Sequence, residues 1–491
     1  MKDGPKPNLQ MARIEYLNRI LAHDPDAIDA RFERAGLLRE QGHFEEAKRD
    51  YLDLIRRRPT DFTALNDFGT LVLKAGYKDA ARSLFSEAVR HHPDNPMGRV
   101  NLASLLFLMG EHDQARQHLD AALQVDPDNV HAHRILANLL AEVSDQGGAR
   151  RHRDKGFGSR FLTIMPYRGN RTPVRLLLLV SAVGGNTPMT SFLDDQIFET
   201  HVLVAEYYNS KVPLPDHDLV FNSIGDADIC REGLEAACAM LERTPRPVIN
   251  HPGAVLKTGR LSNVLRMRGL PNVVVPQMAA FKRSMLTSRD AAALVVRGGF
   301  SFPLLVRAPG FHTGQHFFRV EDLNGLAVAI TQIPGDDVWL IEQLDARDGS
   351  GMHRKLRVML VDGRLYPLHL AISKNWKVHY FKADMAESVD NRAIDRDFLN
   401  DMESSIGARA VAALGQISAT LGLDYGGIDF AVNARGDVLL FEANATMVMA
   451  PLGPDEKWNY RRPAFDAVFA AVRGMILDRS IRHSVARASA G

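Results

Sequence analysis

The stretch Gly427-Ile-Asp-Phe-Ala-Val-Asn-Ala-Arg-Gly-Asp-Val-Leu-Leu-Phe-Glu-Ala-Asn444 alternates apolar and polar residues on both sides of Arg435-Gly436. Such alternation marks two half-buried strands, with Arg435-Gly436 as a candidate two-residue turn. That turn sets Asp429 opposite Glu442 and places Asn444 one pleat further along the same face. Ile428, Phe430 and Val432 then share the other face with Leu439, Phe441 and Ala443, an apolar layer behind the acids. Carboxylates opposed across two strands repel one another, whereas a hard cation such as Mg²⁺ takes one or two carboxylates, a neutral oxygen and substrate phosphates. Asp429, Glu442 and Asn444 are therefore candidate metal ligands. A three-residue loop would slip the pairing by one and turn Glu442 away, and an ordinary hairpin with solvated acids is the competing reading.

The chain has 491 residues, too many for one core, so two or three compact units are expected. Apolar residues make up 45% and charged residues 24%, the composition of a globular chain able to bury several cores. A formal net charge of +1 provides no field to gather nucleic acid or an acidic membrane, so neither is expected as a partner. Cys230 and Cys238 are too few for a disulfide framework or a four-cysteine zinc site and read as small apolar residues. Met1 to Asn8 lack an apolar core of signal-peptide length, and runs such as 176–180 and 291–296 are too short to span a bilayer. A cytoplasmic location is the expectation.

Pro25, Pro59, Pro93 and Pro127 recur every 34 residues, as do Gly42, Gly76 and Gly110, Ala47, Ala81, Ala115 and Ala149, and Leu37, Leu71, Leu105 and Leu139. Gly69, Ala103 and Ala137 keep the same interval. Glycine suits a tight turn between antiparallel helices, alanine suits close helix approach, and such units bury their apolar faces only by stacking. The unit resembles the tetratricopeptide repeat, which implies an all-α superhelix over residues 9–160. Its parts are a leading helix over 9–23, full repeats over 26–94 and 95–128, and a last pair to about Arg160 that lacks the turn glycine. In that family the first helices face a groove, so Arg31, Asn66, Asp67, Arg99, Asn101 and Arg134 are candidate contacts to a peptide or protein partner. A solvated polar surface, or packing against the rest of the chain, is the competing reading. The basic run 150–155 has no interleaved aromatic platform and reads as a solvated helix face.

From residue 173 onward, short apolar runs alternate with helical stretches, the pattern of an α/β sheet. Residues 175–183 read as a buried strand ending in Gly184-Gly-Asn186, with further strands over 201–204, 218–222 and 247–252. Loops at such carboxyl ends border ligand crevices.

The spacing of Asp429, Glu442 and Asn444 within Gly-Ile-Asp-Phe and Phe-Glu-Ala-Asn is similar to the metal-binding end of ATP-grasp ligases. The glutathione synthetase and ribosomal-protein glutamate ligase branch fits best, from about Pro173 to about Met449. The resemblance implies an α/β pre-ATP-grasp domain over 173–275, an α+β ATP-grasp domain over 276–480, ATP and Mg²⁺ as cofactors, and those three residues as the metal holders. Arg260 and Arg307 stand where the family usually has phosphate-binding lysines. Ala308-Pro-Gly-Phe-His-Thr-Gly314, with Gly310 and Gly314, resembles the family's phosphate-covering loop. Glu342, Gln343 and Leu344 match its hinge against adenine, with Asp345 or Asp348 toward the ribose. Arg357 matches the arginine that meets the transferred phosphate or the acceptor carboxylate. Ser373-Lys-Asn-Trp-Lys377 and His379 are expected as the substrate-side wall, with Lys374 as its cation. The implied activity joins a carboxylate substrate to an amine nucleophile through an acyl phosphate, releasing ADP. A repeat adaptor with a degenerate nucleotide domain, and phosphotransfer to another acceptor, are the alternatives.

Overall fold

Helices with a 34-residue period fill the first part of the chain: α1 (Leu9–His23), α2 (Ile28–Glu40), α3 (Phe44–Arg57), α4 (Phe62–Lys74), α5 (Lys78–His91), α6 (Pro96–Leu108), α7 (His112–Val125), α8 (Val130–Glu142) and α9 (Gln146–Phe157). The computed structural model describes residues 9–311, 314–378, 380, 383–449, 452 and 455–488. Two compact units divide the chain, one of residues up to 160 with 170–172, the other of 161–169 and the residues from 173.

In the first unit Gly42, Gly76 and Gly110 turn between paired helices at φ +78°, +90° and +81°. Ser144, at the fourth repeat of that position, adopts the same left-handed backbone at +64°. The last pair thus makes the turn without glycine. Asp61, Asn95, Asn129 and Asp145 cap α4, α6, α8 and α9 by accepting backbone N–H groups. Ala35, Ala47, Ala81 and Ala115 are wholly buried where helices meet. At Gly69 of α4 an added Cβ would lie 2.6 Å from the Phe85 ring of α5. One period later the same two positions are Ala103 and Leu119, so the larger side chain is matched to the smaller partner.

The second unit holds three sheets. The first is built of β1 (Leu162–Ile164), β2 (Val174–Val180), β3 (Phe198–Val204), β4 (Leu219–Asn222) and β5 (Val248–Ile249) in the order β1-β3-β2-β4-β5. It is parallel except for β1 at its edge. Leu176 to Leu179 are all buried, as a strand covered on both faces requires. β6 (Val273–Val274) lies before residue 276 yet joins the third sheet, parallel to its last strand. The second sheet, order β7-β10-β8-β9, is antiparallel: β7 (Met278–Lys282), β8 (Leu304–Arg307), β9 (Phe317–Val320) and β10 (Asp337–Glu342). The third is β11 (His353–Val361), β12 (Arg364–Ser373), β13 (Tyr425–Val432) and β14 (Val438–Asn444) in the order β12-β11-β13-β14-β6. No helix among the described residues is long and apolar enough to cross a membrane.

The β13–β14 hairpin differs from the expected two-residue turn. Asn433 N–H donates to the Asp437 carbonyl at 3.0 Å, Gly436 N–H to the Asn433 carbonyl at 2.9 Å, and Gly436 has φ +81°, so Ala434, Arg435 and Gly436 form a three-residue loop. That loop alone would turn Glu442 away. A β-bulge cancels the slip: Phe430 pairs with Leu440 but Asp429 pairs with Glu442, leaving Phe441 extra. The apolar layer consequently contains Val438, Leu440 and Ala443 behind Ile428 and Phe430, instead of Leu439 and Phe441.

Gly69→Ala is expected to destabilise the chain by about 1–3 kcal/mol through overpacking against Phe85. Ser144→Gly is expected to stabilise it by about 1 kcal/mol, since left-handed strain is removed at some cost in unfolded-chain flexibility. Urea unfolding of the two full-length variants checks both signs, and an unchanged midpoint for Gly69→Ala would mean that Phe85 moves aside freely.

Candidate functional site

Four strands of the third sheet each place one residue in a single row: Glu442 of β14, Asp429 of β13, Arg357 of β11 and His369 of β12. Bulges beside Asp429 and beside Arg357 hold this register. Asp429 is 1% exposed and accepts two hydrogen bonds from Arg357, at 2.5 and 2.8 Å, while Lys355 Nζ lies 2.6 Å away. Burial pushes the Asp429 carboxyl up, but Arg357 and Lys355 outweigh it and hold the group well below the usual carboxylate range. Glu442 Oε1 accepts from Arg260 Nη2 at 2.5 Å and from Asn444 Nδ2 at 2.7 Å. Its carboxyl, too, is pushed up by burial and brought below its ordinary value by Arg260 and Arg307. Asn444 Oδ1 accepts from the Thr446 backbone N–H and hydroxyl.

Arg260 opens the helix Arg260–Met267, which follows Gly259, and its backbone N–H donates to Asp228 at 3.1 Å. A Cβ on Gly259 would lie 2.6 Å from Asp228 Oδ1, so glycine permits this close carboxylate cap. Burial pushes Asp228 up, against the pull of the Arg260 N–H. Arg307 ends β8 and is 8% exposed. Its Nη2 donates to the Phe311 carbonyl and its Nε has no partner among the described residues. Burial, and then Arg260, bring its pKa down to about 10. A buried guanidinium beside another, without its own carboxylate among the described residues, is suited to an anion.

The remaining expected residues lie around this centre or apart from it. Glu342 ends β10 and its carboxylate accepts from Gln277 N–H at 2.8 Å; Gln343 accepts from Arg319 at 2.6 Å; Leu344 is half-buried. Asp345 pairs with Arg347 at 2.6 Å, which lowers its pKa to about 2. Gly310 packs on Ile229, and Gly314 on Lys377. Lys374 is exposed, with its backbone N–H on Asp384 at 3.3 Å. His379, His312 and Thr313 lie outside the described residues.

Lys355 was not singled out from the sequence, although strand alternation puts it on the Arg357 face. His369 was missed as well, because its place opposite Arg357 depends on a bulge. Its ring is 9% exposed, lies 4.8 Å from that of Tyr380, and is held well below its ordinary pKa by burial and then by Arg357 and Arg461. Among the described residues no group of three or more His, Cys, Asp or Glu is placed to hold a metal; the oxygen set at the row is two carboxylates and one amide.

Family models of the tetratricopeptide repeat match residues 32–96 and 73–139. Residues 32–139 are tetratricopeptide repeats. Solved structures similar to the chain include MamA of Desulfovibrio magneticus RS-1, at 18% identity over 30% of this chain and 84% of that one, TM-score 0.28. Others are YrrB, a TPR protein with an unusual peptide-binding site, at 18% identity over 31% and 79%, TM-score 0.28, and a thermophilic TPR protein of Thermus thermophilus, at 20% identity over 30% and 81%, TM-score 0.27. No curated protein matches the chain.

In the tetratricopeptide array the expected groove residues are engaged by the scaffold. Arg31 lies 3.0 Å from Asp53 and 3.4 Å from Asp50, and Asp67 pairs with Arg39 at 2.8 Å. Buried Asn66 accepts from Asn101 at 2.7 Å, Arg99 donates to the Pro93 carbonyl, and Arg134 donates to the Gly156 carbonyl while covering Phe157. A cavity of about 480 Å³ is lined by Asn18, Arg31, Arg34, Glu46 and Arg49 of the first helices.

One pH dependence follows from the row. Burial disfavours the imidazolium of His369, and Arg357 and Arg461 repel it, so its folded pKa lies below the unfolded value of about 6.5. The stabilising neutral form is complete above that pH and is lost as pH falls, by about 1.4 kcal/mol per unit. Urea unfolding at pH 7.5 and 5.5 should show a smaller acid loss for His369→Gln than for the unsubstituted chain; equal losses would mean the imidazolium finds a folded-state partner.

Proposed function

We propose that the second unit is an ATP-dependent carboxylate–amine ligase that forms an amide through an acyl phosphate, releasing ADP and phosphate. The tetratricopeptide array would recruit a peptide or protein bearing one of the reacting groups. The observation that carries this reading is the Glu442–Asp429–Arg357 row, wholly buried at Asp429 and half-buried at Glu442 and Arg357, with Asn444 beside it and Arg260, Lys355 and Arg307 flanking it.

Two deprotonated acids facing one another beside an amide are a fit donor set for a hard divalent cation. Asp429, Glu442 and Asn444 would hold Mg²⁺, with the Asn444 amide turned from its present bond to Glu442; once bound, the ion neutralises phosphate charge. Arg260, Arg357 and Lys355 would supply N–H donors to phosphate oxygens or to the carboxylate substrate. The planar forks of Arg260 and Arg307 bind and orient phosphate through paired N–H donors. The use of ATP and the free thiols Cys230 and Cys238 fit a cytoplasmic setting.

A non-catalytic adaptor is the second reading, favoured by the ion pairs of Arg260 with Glu442 and of Arg357 and Lys355 with Asp429, which balance the acids without metal. Calorimetric titration with Mg·ATP separates the two, since the ligase requires saturable binding and the adaptor gives no heat. With an amino-acid and peptide panel, Glu442→Ala should lower Mg²⁺-dependent ADP release by about 100-fold or more; unchanged turnover removes the assignment. Arg307→Met should weaken ATP binding by about tenfold, measured in the same calorimeter.

A further inference from the structure

The segment after β12 carries two lysines with different surroundings. Lys374 is exposed. Lys377 folds back onto the residues preceding and opening β9: its Nζ donates to the Gly314 carbonyl at 2.5 Å and to the Phe317 carbonyl at 3.4 Å. The ammonium lies 5.8 Å from the centroid of the Phe317 ring, and the Arg307 guanidinium lies 5.4 Å from the same centroid. Trp376 meets that ring edge-on at 5.4 Å. Gly314 has φ +74°, and a Cβ there would collide with Lys377 Cε. Glycine is therefore favoured at 314 by its backbone conformation, and its missing side chain leaves room for the lysine end.

These contacts form one connected set. Phe317 is flanked by Arg307, which has no carboxylate of its own among the described residues, and by Lys377, whose charge is spread over two carbonyl oxygens. Cations on an aromatic face are held by the ring quadrupole as well as by their hydrogen bonds. Displacing Lys377 would free the Gly314 carbonyl, the Phe317 carbonyl and one contact of the Phe317 ring at once, and Arg307 rests on that ring.

We propose that Lys377, and not Lys374, is a positioning residue for nucleotide binding: it ties the turn at Gly314–Phe317 to the end of β12 and, through Phe317, sets the guanidinium of Arg307 toward phosphate. The inference rests on the nucleotide-binding part of the reading above.

Two measurements on the full chain test it. Amide hydrogen exchange at residues 314–318 without nucleotide should quicken by about tenfold in Lys377→Met and stay unchanged in Lys374→Met. Calorimetry with Mg·ATP should give a Kd raised about tenfold in Lys377→Met, largely recovered in Lys377→Arg, and unaltered in Lys374→Met. Unchanged exchange in Lys377→Met overturns the tie, and faster exchange with equal ATP affinity overturns its positioning role. Failure of the ligase reading is separately visible as no binding by the unsubstituted chain, which also removes the positioning role while the exchange measurement still decides whether the tie exists.

Discussion

Two carboxylates face one another in the interior of the second unit, and much of the surrounding architecture answers to that pairing. Opposed residues on neighbouring strands lie about 5 Å apart, and two negative charges at that separation repel by about 3 kcal/mol at the effective dielectric of a protein site. Leaving either charge buried without a partner costs several kcal/mol more. Asp429 meets this with a bidentate arginine and a lysine from β11, and Glu442 with an arginine from a helix. Hydrophobic burial favours the strands but says nothing about which polar residues face each other. That choice is made by the two bulges, which cost ladder hydrogen bonds and bring charges into line.

The cation on Glu442 depends on the first sheet of the same unit. Asp228 follows the end of β4 and receives the first N–H of the helix that starts at Arg260, so a negative charge sits at the positive end of a helix. Nearby, the Thr187 hydroxyl donates to the Ala445 carbonyl at 2.6 Å, and Gly225 lies where a Cβ would be 2.8 Å from Thr446. Asn250, after β5, bonds with its side chain to the backbone of Asp424 and Tyr425 at the start of β13. The open end of the β13–β14 hairpin, where β13 starts and β14 finishes, is thus fixed against the carboxyl edge of the parallel sheet, where loops are free of ladder bonds and can carry function.

The repeats were legible because a period needs no knowledge of geometry: the same residue classes return every 34 positions, and Ser144 shows that the backbone keeps the period where the residue does not. The hairpin was legible for a different reason. Alternation correctly set Asp429 against Glu442, but the inferred turn was one residue too short, and the bulge at Phe441 compensated for it. Alternation cannot report a loop and a bulge that cancel. It could have found Lys355, two positions from Arg357 on one strand. It could not have ranked Lys374 against Lys377, because β12 ends at Ser373 and beyond a strand no period assigns a direction to a side chain.

An arginine rather than a lysine at position 307 has a physical account in its surroundings. Arg307 is buried beside Arg260, and those surroundings bring its pKa down to about 10, which still leaves it charged at neutral pH. A lysine starts from about 10.4, and the same burial and the same neighbouring charge would push it lower still. In a dry site that already holds another arginine, the guanidinium is the group that keeps its charge. It also presents a fork of N–H donors, so one buried residue can satisfy two oxygens of one anion. At position 307 the guanidinium therefore keeps its charge in surroundings that would weaken an ammonium.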